Sequence, residues 1–82
     1  MEPGPAVHPG DVLVLAEGDY KFGAGSLTLL VSDLMHTQRM TDGLWIFVCG
    51  FRLDDAGNAR DQRQVLVSTA AIPTALRLPS QL

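Results

Sequence analysis

The chain has 82 residues, 46% of them hydrophobic and 18% charged: room for one small domain, and too apolar for a disordered charged tail. A net charge of −3 argues against a general phosphate-backbone binder, and the single cysteine excludes an internal disulfide scaffold. The longest apolar runs, Val12 to Ala16 and Leu44 to Val48, fall far short of the roughly 20 residues of a membrane helix. The opening Met1-Glu2-Pro3-Gly4-Pro5 has neither a basic nor an apolar stretch of a signal peptide, so the expectation is a cytoplasmic protein without membrane contact.

Residues 1–9 carry three prolines and read as an extended arm, because proline fixes φ and removes backbone donors. Residues 10–78 form the expected single domain, and 79–82 a tail. Val12 to Ala16 is short, rich in branched residues and bounded by glycines, which are strand features. Glu17 to Gly25 is a turn-rich loop. A second strand runs from Ser26 to Leu34, with Leu27, Leu29 and Val31 on one face. Met35 to Gly43 then reads as a connector, ending in the turn dipeptide Asp42-Gly43.

Leu44 to Leu53 is the most apolar segment. Trp45, Phe47, Cys49, Phe51 and Leu53 share one face; Leu44, Ile46, Val48, Gly50 and Arg52 share the other. Its β-branched and aromatic content favours a strand, and Gly50 within it suggests a bulge or bend. Asp54 to Arg60 is a hairpin loop, and Gln62 to Thr69 returns as a fourth strand. Pro73 stops any ladder there, and Thr74 to Leu78 forms a helical turn or a fifth strand on the first. The sum is an all-β fold: a small four- to five-stranded antiparallel barrel, SH3-like or OB-like, with a two-layer open sheet as runner-up.

Gly10-Asp11-Val12-Leu13-Val14-Leu15 resembles the Gly-Asp-x-Val-x-Val opening of SH3-like barrels of the BAH and KOW types. Trp45-Ile46-Phe47-Val48 and Val65-Leu66-Val67 sit where such a barrel would place later strands. The resemblance spans roughly residues 10–72. It implies binding of peptides, histone tails or nucleic acid through loops rather than catalysis. The loop Glu17-Gly18-Asp19-Tyr20-Lys21-Phe22 departs from an RNA-binding pattern, with two acids against one base.

No metal or cofactor is expected. His8, His36 and Cys49 are too far apart in sequence for a zinc motif, and Asp54, Asp55, Asn58 and Asp61 miss the calcium-loop register. Gly23-Ala24-Gly25-Ser26 lacks the helix and Lys-Ser/Thr of a phosphate loop. Cys49 reads as a core residue. His36, with Asp33 or Asp42, is all that a remote alternative, a small hydrolytic enzyme, rests on.

A nucleic-acid barrel is the nearer alternative: Arg52, Arg60, Arg63 and Arg77 gather at one end while Tyr20 and Phe22 stack bases. Asp54, Asp55 and Asp61 among those arginines weaken it. The favoured expectation is a non-catalytic binding or assembly module, self-associating or with a protein partner. Both faces of Leu44 to Leu53 are apolar, and both cannot look at water. The expected contact residues are Tyr20, Phe22, Trp45, Ile46, Phe51 and Arg52, with Ile46 pointing outward. The competing arrangement covers the second face with Ala6-Val7 and Leu76 to Leu78.

Overall fold

The computed structural model describes residues 7–77, apart from Phe22 and Ala24, with Arg77 described by its backbone. The expected tail and the first six residues of the expected arm lie outside the described residues. The elements are β1 (Val12–Leu15), β2 (Leu27–Met40), β3 (Gly43–Leu53), β4 (Ala59–Ser68), a 3-10 turn at Thr69–Ala71, a short helix α1 (Ile72–Ala75) and β5 (Leu76–Arg77). All strand pairings are antiparallel, in the order β4-β3-β2-β1-β5. The chain is all-β in architecture, and its sheet curls into a half-barrel. Ile72-Pro73 opens the helical turn, with Pro73 at its start, where a missing N–H costs nothing. The chain then returns to pair Leu76 with Leu13, so Thr74 to Arg77 supplies both the end of the turn and the fifth strand, and Leu78 lies outside the described residues.

Curvature comes from β2. Val31 pairs with Gly50 and Asp33 with Cys49, leaving Ser32 as an extra residue; Leu34 pairs with Val48 and Thr37 with Ile46, so Met35 and His36 together face Phe47. Two such bulges bend and twist one long strand. Leu27 to Leu30 pair with β1 on one side, while β3 pairs along the other side from Leu29 to Met40. The stretch Met35 to Gly43, expected as a connector, is therefore strand up to Met40, followed by a tight turn at Thr41 and Asp42. Gly43, at φ +127, takes a conformation that side-chain-bearing residues avoid.

The hollow of the curl holds the core: Leu13 and Leu15, Leu27, Leu29 and Val31, Ile46 and Val48, Val65 and Val67, capped by Ile72 and Ala75. Val7 joins it at 2% exposure, while His8 and Pro9 of the expected arm are exposed. Leu76 packs against the same core. Val7 and Leu76 thus cover the concave side, not the second face of β3, while Ala6 and Leu78 lie outside the described residues.

Tyr20 forms an isolated bridge to Val67. On either side of it the Lys21 N–H donates to the Leu66 carbonyl (2.9 Å) and the Ser68 N–H to the Asp19 carbonyl (2.8 Å). This short seam joins the loop after β1 to the far edge of β4. The loop is held there by the Tyr20 hydroxyl, which donates to the Gly25 carbonyl at 3.0 Å.

Candidate functional site

Register fixes which side chains share the convex face. Phe47, Cys49 and Phe51 of β3 lie opposite Leu66, Gln64 and Gln62 of β4, and on the other side Asp33 and Leu30 of β2 lie opposite Cys49 and Phe51. Since Ile46 and Val48 face the core, these residues face away from it. Phe47, Cys49 and Phe51 are half-buried, and Met35 is 48% exposed. The β2 bulge turns Met35 and His36 onto this face. The His36 ring lies 4.8 Å from that of Phe47 at a tilt of 47°, within the usual range for ring contacts. The Cys49 thiol donates to the Met35 sulfur at 3.3 Å, and the Gln64 amide reaches it at 3.4 Å. The result is an apolar strip rimmed by polar groups.

The expected contact residues divide. Phe51 lies on the strip. Ile46, expected outward, is 6% exposed in the core. Two apolar faces on one strand leave its parity undecided, and the pairing of Ile46 with Val67 settles it inward. Cys49, expected in the core, is on the convex face for the same reason. Tyr20, at 6% exposure, belongs to the core and seam. Trp45 points outward but is covered to 5% exposure: the Lys21 ammonium stands 4.5 Å from its ring centroid, and its indole N–H donates to Asp42 at 2.9 Å. Phe22 lies outside the described residues.

Three of the four arginines expected to gather, Arg52, Arg60 and Arg63, each meet an aspartate. Arg52 contacts Asp61 at 2.7 Å, Arg63 the same carboxylate at 3.6 Å, and Arg60 reaches Asp54 at 3.7 Å. The Arg77 side chain lies outside the described residues. Arg52 also borders a shallow polar hollow of about 300 Å³ with Ser26, Leu27, Thr28, Leu53, Asp54 and Asp55. Asp54 is committed to its loop, accepting from the N–H groups of Ala56 and Asn58 at 3.0 and 2.9 Å. These bonds are those of an Asx-type turn, in which an aspartate holds the backbone that follows it. Among the described residues, no three His, Cys, Asp or Glu side chains gather as a metal site requires, and no helix is long and apolar enough to cross a membrane. His36 meets Phe47, while Asp42 serves Trp45 and Lys21.

The Lys21–Asp42–Trp45 cluster joins two loops distant in sequence, and no local pattern announces it. The Lys21 ammonium, hydrogen-bonded at 3.0 Å, holds the Asp42 carboxyl below its ordinary value of 3.8, with the Trp45 N–H assisting. Arg52 lowers Asp61 likewise. A carboxyl depressed in the folded state stabilises the fold above its unfolded value, and that stability drains away as the pH falls through the folded value. The melting temperature is expected to drop below pH 3.8. Asp42→Asn should lower it modestly at neutral pH and flatten the acid slope. Thermal melts followed by Trp45 fluorescence from pH 2 to 7 check both effects. An unchanged slope would show that Asp42 plays no part.

Comparison with models of protein families, with curated proteins and with solved structures gives no match.

Proposed function

We propose that this chain is a non-catalytic assembly module, an SH3-like barrel that self-associates through protein–protein contacts. The apolar strip on the convex face carries the reading: Met35, His36, Phe47, Cys49 and Phe51 lie side by side, with Met35 at 48% exposure. An exposed methionine beside half-buried phenylalanines, flanked by glutamine on β4, matches the composition of interface centres. A domain this small hides only about 60% of its unfolded surface, so association contributes burial it otherwise lacks. A four-strand meander whose fifth strand returns to the first supports the SH3-like form over the OB-like one. The nucleic-acid alternative has less support, since Arg52, Arg60 and Arg63 already face aspartates.

Sedimentation equilibrium over a concentration series tests the reading. The wild type is expected to exceed the monomer mass. Phe51→Asp should keep the far-UV circular dichroism and weaken association at least about tenfold, the 1.4 kcal/mol scale of one lost anchor. A wild type that stays monomeric throughout overturns self-association.

A further inference from the structure

β4 ends the sheet. The seam covers only its last residues, around Val67; among the described residues no strand pairs with the outer edge of Ala59 to Gln64. An open edge presents unpaired N–H and C=O groups, and natural domains shield it or use it. The direction of these groups follows from the seam. Leu66 offers its carbonyl to Lys21 and Ser68 its N–H to Asp19, so these even-numbered residues aim their backbone groups away from β3. The β3–β4 register is regular from Ser68 to Gln62, and the alternation of a strand carries the same direction to Gln64 and Gln62.

The edge sequence is Arg60-Asp61-Gln62-Arg63-Gln64. An antiparallel copy laid against it with Gln62 opposite Gln62 puts Asp61 opposite Arg63, and Arg63 opposite Asp61. The β3–β4 register shifts beyond Gln62, so the match is centred on Gln62 and its two neighbours, where no like charges stand directly across. In that register Gln62 is a hydrogen-bonded pair, with N–H and C=O already turned outward. Asp61 and Arg63 fall at the closer, non-hydrogen-bonded positions where cross-strand ion pairs form best. Arg63 lies on the concave side, because it pairs with Gly50 in the register that puts Val65 and Val67 in the core, and the Asp61 carboxylate meets it there at 3.6 Å. Both keep room for a partner, their side chains being 50% and 37% exposed.

From this self-complementarity we infer that a second copy of the chain docks edge to edge along β4, on a two-fold axis through Gln62. The inference rests on the assembly reading above and deepens it. An isologous contact of this kind closes as a dimer and merges the two sheets, so the two apolar strips become one surface.

Two sets of variants test it by sedimentation equilibrium, with circular dichroism as the control for folding. Gln62→Pro removes an outward donor that the fold does not use, and is expected to abolish dimerisation with the spectrum intact. The second set does not depend on tolerance of proline. Asp61→Arg and Arg63→Asp each place like charges across the axis and should each weaken dimerisation at least tenfold. An equimolar mixture of these two proteins restores opposite charges at every crossing, and should dimerise where neither does alone. A dimer that survives Gln62→Pro and both charge variants but is lost in Phe51→Asp overturns edge pairing and leaves assembly through the strip. Mixing without recovery also overturns it, and a monomeric wild type overturns both readings.

Discussion

Ile46→Asp is expected to abolish the fold. Ile46 is 6% exposed and packs in the core with Val48 and Val67. Truncating such a side chain costs about 2–5 kcal/mol, and a carboxylate put there finds no partner, since among the described residues no polar or charged side chain is buried. An 82-residue domain has roughly 4–12 kcal/mol to lose. Loss of cooperative melting and of the β-sheet circular dichroism is the expected result. A folded Ile46→Asp protein with altered mass would return Ile46 to an interface. The contrast with Phe51→Asp is the sharper test, because the two residues lie on one strand and differ in face.

Gly50→Ala should be nearly as severe. A Cβ at Gly50 would lie far inside contact with the Leu30 carbonyl oxygen, and 3.1 Å from Leu29 Cγ. The oxygen belongs to backbone, in a β2 strand already bent by the bulge opposite, so it cannot rotate aside. β2 and β3 must separate, and Leu29, which is fully buried, moves with them. Overpacking of this kind costs about 1–3 kcal/mol and more where backbone is the obstacle. For a domain of this size each kcal/mol lowers the melting temperature by about 4–8 °C, so a fall of at least about 10 °C is expected in calorimetry. A shift under about 3 °C would mean that the close approach is easily relieved.

These two residues show what the sequence could and could not disclose. β1, β3 and β4 are legible because branched and aromatic residues gather in short runs between turn residues, and Gly50 stands out as the break in the longest run. The far half of β2 is not legible. Met35 to Met40 has no apolar alternation, and its residues are exposed or half-buried; it is a strand because β3 offers it a partner, not through its own pattern. Nor does the sequence choose a face for β3. Period-two alternation defines two sets, and when both are apolar only pairing and bulges decide which faces the core. The arginine–aspartate cluster is foreseeable because its members are close in sequence. The Lys21–Asp42–Trp45 cluster is not, because the curl brings its loops together.

The seam at Tyr20 has a consequence for the order in which the chain can fold. The β2–β3 and β3–β4 hairpins join neighbouring segments, so their ends meet at small entropic cost. Bringing Tyr20 to Val67, and β5 to β1, instead requires a loop containing most of the chain to close for only a few backbone bonds. Contacts of such sequence separation are rewarded late. The meander from β2 to β4 therefore assembles first, as a curved template, and the two chain ends are laid onto it afterwards. A nascent copy would thus expose the edge of β4 before its own loop arrives to cover part of it.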